Sequence, residues 1–132
     1  VAAAAAEDPR GVDIETVGTP IDLPLNILHP AERAALADAG ARAHDYFLWL
    51  WTIKEAYVKA IETGLSREPA EIEIRRLGPP AQHAFSLEDP VSFLIFDCDI
   101  PVTTALARAG RATVAGRPAM LACIVLARAL GR

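Results

Sequence analysis

The alternation of apolar and polar residues near the start of the chain predicts a strand. Residues 11–15 read Gly-Val-Asp-Ile-Glu, so Asp13 and Glu15 share one face of that strand. The apolar residues Val12 and Ile14 are then expected to point into a core. Two parallel carboxylates at this position would form half of a magnesium site.

Apolar residues at helical spacing predict two helices. Pro30 suits the first turn of a short helix that ends at Gly40. A longer helix is expected over 42–63, where Gly64 supplies a stop signal. Its core stripe comprises Tyr46, Leu50, Ile53, Tyr57 and Ile61.

The long helix carries apolar residues away from this stripe, among them Trp49 and Trp51. One small sheet is not expected to cover both sides of the helix. This surface therefore predicts a contact with a further protein surface, such as a second copy of the chain.

Several other segments are predicted as strands. They are 1–6, which is expected to form a hairpin with 11–15, followed by 71–77, 82–87, 91–97 and 120–126. Segment 103–112 fits either a strand or a helical turn, and its Gly-Arg pairs suggest loops at both ends. The chain has 132 residues, of which 52% are hydrophobic, and this is sufficient for one domain with its own core.

The charge pattern argues against a nucleic-acid partner, and the length of the apolar runs argues against a membrane span. The formal net charge is −4, and acids and bases are interspersed, so the basic surface of a nucleic-acid-binding protein is not expected. The longest apolar run, over 119–127, is too short to span a membrane, and the first residues lack the basic region and long apolar stretch of a signal peptide, so neither kind of segment is expected. A cytoplasmic location is the resulting expectation.

The long helix adds charged residues to the strand carboxylates. Glu55 and Lys59 are spaced i and i+4, so they share one helix face, and Lys54 precedes Glu55. Carboxylates suit a hard cation such as Mg²⁺, and lysines suit phosphate oxygens. The alternative is that each pair is simply a solvated surface pair.

The strand at 11–15 and the long helix together carry a longer pattern. The helix reads Phe47-x-x-Leu50-Trp51-x-x-Lys54-Glu55-Ala56-x-x-Lys59-x-x-x-x-Gly64-Leu65. With the strand, this pattern resembles the two signatures of the 4′-phosphopantetheinyl transferase superfamily. Trp51 before the Lys54-Glu55 pair favours the larger, two-lobed branch, and the chain resembles the C-terminal lobe of that branch.

The resemblance implies a fold and a reaction. The fold is α+β, with one long helix packed on a small antiparallel sheet, and 1–132 is a single domain of this type. The reaction transfers the 4′-phosphopantetheine arm of coenzyme A to a serine of an acyl or peptidyl carrier protein. It depends on magnesium and releases adenosine 3′,5′-bisphosphate.

The resemblance also implies the roles of individual residues. Asp13, Glu15 and Glu55 are expected to bind Mg²⁺, while Lys54 and Lys59 are expected to contact coenzyme A. Gly64 matches a turn near the ligand, although a helix C-cap explains this glycine equally well. Glu55 is the first candidate for the general base and Glu32 the second. His29, His44 and His83 have no metal-ligand spacing and are expected in surface or capping roles.

The N-terminal lobe of the two-lobed branch has no counterpart in this chain. In that branch it supplies the residues that hold the 3′-phosphate of coenzyme A. A homo-oligomer or a separate lobe is therefore expected to complete the site. Two alternatives remain: a non-catalytic half that binds coenzyme A or a carrier protein, and another magnesium enzyme acting on phosphate esters.

Overall fold

The structure, a computed structural model, describes residues 10–16, 25–61, 68–76, 91–97 and 104–126. The predicted strands at 1–6 and 82–87, Gly64 and His83 lie outside these residues. The strands are β1 (Arg10–Thr16), β2 (Ile72–Arg76), β3 (Val91–Asp97), β4 (Thr104–Val114) and β5 (Arg117–Leu126), and the helices are α1 (Pro30–Asp38) and α2 (Ala43–Ile61). Short 3₁₀ helices occur at Leu25–Ile27, Gly40–Arg42 and Pro69–Glu71.

The five strands form one antiparallel sheet in the order β1-β5-β4-β3-β2. The two-residue turn between β4 and β5 has positive φ at Ala115 (52°) and Gly116 (76°), as expected of a tight hairpin turn that matches the twist of its strands. Helix α2 packs across one face of the sheet. The predicted α+β class, with one long helix on a small antiparallel sheet, is confirmed.

Segment 103–112 proves to be mostly strand, because Thr104–Val114 forms β4. The loop expected at Gly110 is wrong, since this residue is buried inside β4 and pairs with Leu121 of β5. The hydrophobic pattern was weak here because the inward-facing residues of β4, Ala107 and Ala109, are small.

The core lies between α2 and the sheet. All five residues of the predicted stripe are buried, which confirms the helical interpretation. They belong to one cluster with residues of four strands, namely Ile72, Ile74, Phe93, Ile95, Ala107, Ala109, Met120, Ala122 and Ile124.

The expectation that Trp49 belongs to an uncovered surface is wrong. Trp49 is only 1% exposed, and its ring meets Phe93 edge-on with centroids 4.2 Å apart. Strand β3 therefore reaches beneath the first half of α2, so the chain covers this tryptophan itself. Trp51 is half-buried and packs against the same core.

The two faces of β1 are reversed relative to the prediction. Val12 and Ile14 are 49% and 48% exposed, whereas Asp13 is 7% exposed. The alternation itself is present, but the polar residues face α2 and the apolar ones face away from it. A period of two separates the faces of a strand without showing which one is covered.

Among the described residues, no helix is long and apolar enough to cross a membrane.

Candidate functional site

Strand β1 and helix α2 approach each other more closely than side chains normally allow. A Cβ atom at Gly11 would lie 2.0 Å from the carbonyl oxygen of Ala56 and 2.7 Å from the backbone nitrogen of Ala60. Only glycine fits against the helix backbone at this point. Since side chains alternate along the strand, Asp13 and Glu15 share the face of Gly11 and are carried toward α2.

Asp13 meets Lys59 across this contact. The ammonium of Lys59 donates to Oδ1 of Asp13 at 2.7 Å and to the carbonyl oxygen of Val12 at 3.4 Å. The hydrogen bond that Lys59 donates to Asp13 is the main cause of a raised pKa of Lys59; burial opposes it, and the charges of Asp13, Glu55 and Glu15 add to it. The Lys59 side chain is 54% exposed, so its ammonium can also reach a ligand in solvent.

The second oxygen of Asp13 is buried and accepts no hydrogen bond from a described group. Such an oxygen carries a large desolvation penalty unless a proton or a cation satisfies it. Burial first, then the hydrogen bond and charge of Asp13, then the charge of Glu55, raise the pKa of Glu15 to about 7, and Lys59 opposes these effects.

Glu55 completes a cluster of acids. Burial raises the pKa of Glu55, the Asp13 charge adds to this effect, and Lys59 opposes it. Three carboxylates thus repel one another around a single ammonium. The structure brings Asp13, Glu15, Glu55 and Lys59 together between β1 and α2.

The donor set of this cluster suits Mg²⁺, which takes hard oxygen ligands and commonly uses one or two carboxylates together with phosphate oxygens and water. The unsatisfied oxygen of Asp13 is the observation that favours a cation here. Within the described ranges, no three His, Cys, Asp or Glu side chains are already arranged to hold a metal ion. Binding by all three carboxylates would therefore require side-chain rotation of Glu15 or Glu55.

Lys54 lies elsewhere. It is 1% exposed, and its ammonium donates to the carbonyl oxygens of Ile27 (3.0 Å), Pro69 (2.7 Å) and Ile72 (2.8 Å). It also lies 2.8 Å from Oε1 of Glu32. Burial lowers the pKa of Lys54, while the charges of Glu32 and Glu73 oppose that change.

Glu32 is fully buried beside Lys54 rather than in the acidic cluster. Its Oε1 accepts from the backbone N–H of His29 at 2.9 Å, and its Oε2 accepts from that of Ile74 at 2.8 Å. His29 caps the N-terminus of α1, where its Nδ1 accepts from the backbone N–H of Ala31. The capping role expected of His29 is confirmed.

Sequence reasoning did not assign a role to Gly11, although this residue sets the strand–helix distance. The available signal was a glycine inside a strand pattern, which often marks a close approach of two backbones. The small residues Ala56 and Ala60, spaced one helical turn apart, carry the complementary signal on α2.

Comparison with protein families gives a match over residues 9–105 to the 4′-phosphopantetheinyl transferase superfamily. The matched region includes β1 and α2, the two elements that carry the acidic cluster. A search among curated proteins finds no match.

Proposed function

Since the chain belongs to the 4′-phosphopantetheinyl transferase superfamily, we propose that it transfers the phosphopantetheine arm of coenzyme A to a serine of an acyl or peptidyl carrier protein. Adenosine 3′,5′-bisphosphate is the other product. The observation that carries this proposal is the cluster of Asp13, Glu15, Glu55 and Lys59 between β1 and α2. It offers oxygen ligands for a cation and an ammonium for phosphate in one place.

Asp13, Glu15 and Glu55 are the residues that would hold Mg²⁺. When bound, the ion supplies Lewis-acid polarisation of the pyrophosphate of coenzyme A. The buried, unsatisfied oxygen of Asp13 supports its assignment as a ligand. Holding these acids close together without a cation is electrostatically unfavourable: burial first, and the neighbouring acids after it, raise the pKa of Glu15.

Lys59 is the residue proposed to contact the phosphates of coenzyme A. Its ammonium is held by Asp13 and its side chain is 54% exposed, so it can donate to an incoming phosphate oxygen. As the bond to the leaving bisphosphate breaks, negative charge grows on that group, and a positioned ammonium stabilises it.

Glu55 is the proposed acceptor of the serine proton. Burial and the Asp13 charge raise its pKa, and a carboxylate with a raised pKa is a stronger base. Proton removal lets the serine oxygen attack the phosphorus atom next to the pantetheine arm, with the bisphosphate as leaving group.

We also propose that a second lobe, or a second copy of this chain in its place, completes the binding of coenzyme A. The face of the sheet opposite α2 exposes Val12, Ile14 and Val125. In the register, Val12 pairs with Cys123 and Ile14 with Leu121, so these side chains form a continuous surface on two neighbouring strands. A solution mass equal to that of one chain, together with full activity, would contradict this proposal.

The transfer proposal is tested with the purified chain, coenzyme A, Mg²⁺ and an apo carrier protein. Intact mass spectrometry of the carrier is expected to show a gain equal to one phosphopantetheine. Glu55→Ala should abolish the gain. Asp38→Ala is the matched control, because it removes an exposed acid from α1 and changes the net charge equally.

Other outcomes separate the alternatives. Binding of coenzyme A with Mg²⁺ but no transfer would contradict catalysis by this chain alone and favour a half that needs its partner lobe. Cleavage of coenzyme A without a carrier protein would indicate a hydrolase instead. Absence of both binding and transfer would leave the proposed function without support.

A further inference from the structure

The ammonium of Lys54 has no proton left for a ligand. An ammonium donates three hydrogen bonds, and four oxygens already surround this one within 3.0 Å. The side chain is also buried. A contact between Lys54 and a phosphate would have to break at least one buried, charge-assisted hydrogen bond.

Glu32 is equally occupied. One of its oxygens is shared by Lys54 and the backbone N–H of His29, and the other accepts from Ile74. A general base must come within hydrogen-bond reach of the proton that it removes. The full burial of Glu32 keeps a serine hydroxyl of a separate protein away from it.

The Lys54–Glu32 pair connects α2 to α1, to β2 and to two 3₁₀ helices. Lys54 donates to the 3₁₀ helix Leu25–Ile27, to the 3₁₀ helix Pro69–Glu71 and to the start of β2. Glu32 adds α1 and, through Ile74, the middle of β2. These contacts hold the helix at one position along its length.

A fixed side chain at position 54 also fixes the rotation of α2 about its axis. Glu55 is the next residue, so it projects about 100° further around the helix. On the side of α2 that faces β1, Gly11 lies against Ala56 and Ala60. On another side of the helix, Lys54 is held by its hydrogen bonds and by Glu32. Together these two attachments determine where Glu55 and Lys59 point.

We infer that Lys54 and Glu32 form a positioning pair that sets the rotation of α2 and contacts neither coenzyme A nor the reacting serine. This inference rests on the proposed function, in which Glu55 and Lys59 meet Mg²⁺ and coenzyme A. It replaces the roles that the family resemblance implied for Lys54 as a phosphate ligand and for Glu32 as a second candidate base.

The test compares Lys54→Met with Lys59→Met, two identical changes five positions apart on one helix. Calorimetry with coenzyme A and Mg²⁺ should show that Lys59→Met weakens coenzyme A binding by about tenfold or more, because a direct charged hydrogen bond is lost. For Lys54→Met, measured on the folded fraction, the affinity should fall clearly less than for Lys59→Met, because Lys59 itself is retained and is only displaced. Equal losses in the two variants would overturn the inference.

A second measurement reports positioning directly and needs no ligand. In amide NMR spectra of the free protein, Lys54→Met should shift the signals of Asp13, Glu55 and Lys59, because α2 rotates. Arg33→Met, an exposed change on α1, should leave them in place. Unshifted signals in folded Lys54→Met would show that the pair only stabilises the fold, which would also contradict the inference.

Glu32→Gln tests the same inference if Lys54→Met does not fold. The side-chain oxygen of Gln can still accept the hydrogen bond from the backbone N–H of Ile74. This variant should reproduce the NMR shifts and lower kcat with little change in KM for coenzyme A. Combining it with Lys54→Met should add little further loss, since both changes remove the same pair. If wild type binds coenzyme A neither alone nor with Mg²⁺, the proposed function fails, while the NMR comparison still decides whether the pair positions α2.

Discussion

Two lysine–carboxylate pairs lie on the same helix and have opposite characters. Lys59 and Asp13 are joined at 2.7 Å with the lysine side chain 54% exposed, whereas Lys54 and Glu32 are joined at 2.8 Å with both side chains buried. The ammonium of Lys59 can reach solvent, but that of Lys54 is enclosed by protein oxygens. Residue type and spacing in a motif therefore do not distinguish an exposed lysine from a buried one.

The largest expected difference between the two pairs is in stability. Lys54→Met leaves Glu32 buried without its counter-charge, and breaking a buried pair in this way costs about 3–5 kcal/mol of the free energy of unfolding. Lys59→Met should lower the urea midpoint much less, because that side chain is 54% exposed and water can take over part of its contact with Asp13. Similar midpoints for the two variants would show that the buried pair does not hold the fold.

The close contact of Gly11 with α2 should affect the exposed Lys59–Asp13 pair more than the buried Lys54–Glu32 pair. Gly11→Ala places a methyl group against the backbone of Ala56, and such overpacking costs about 1–3 kcal/mol. By separating β1 from α2 it should also weaken Mg²⁺ binding, as measured by calorimetry.

Gly116→Ala is the control for this change. It has open space around it but a φ of +76°, so it should cost about 1 kcal/mol of stability and leave Mg²⁺ binding intact. If both glycine variants bound Mg²⁺ like wild type, the close approach at Gly11 would not be what assembles the cluster.

A smaller effect is expected in the pH dependence of stability. The pKa of Glu15 rises from 4.5 to about 7 on folding, so the folded state binds this proton more tightly than the unfolded state. The resulting stabilisation is fully present below pH 4.5 and is lost as the pH rises through about 7. Urea midpoints without metal should therefore fall across this range.

Mg²⁺ should reduce that fall, because a cation bound by these carboxylates takes the place of the proton that Glu15 otherwise holds. Glu15→Gln should reduce it as well, since the amide does not ionise. An unchanged slope in Glu15→Gln would assign the pH dependence to another group.

Strong periodicity made much of the fold predictable. The strand at 91–97 and the core stripe of α2 were correct because their apolar residues are large and regularly spaced. The end of α1 was also predictable, because Gly40 adopts a φ of +60° that glycine tolerates. Segment 103–112 was ambiguous because small alanines provide its inward face.

The acidic cluster was predictable because two short motifs carry its residues, but the burial of Lys54 was not recognised. The signal was present: Lys54 follows Leu50 by four residues and precedes Tyr57 by three, so it falls within the buried stripe of α2. Glu55 and Lys59 fall outside that stripe. The orientation of β1 had a similar signal. Gly11 shares a face with Asp13, and a glycine inside a strand often marks the face against which another backbone packs, so the Asp13 face could have been predicted to lie against the helix.

The register of β1 on β5 has a consequence for how this chain tolerates changes in length. Asp13 pairs with Ala122 and Glu15 with Met120, and a slip of one residue would exchange the two faces of the strand. A single deletion between Gly11 and Glu15 would then turn the acids away from α2 and press Val12 or Ile14 against it. Such a variant would keep nearly every residue of both motifs and lose the cluster, so an intact motif in a relative with an insertion or deletion here does not guarantee an intact site.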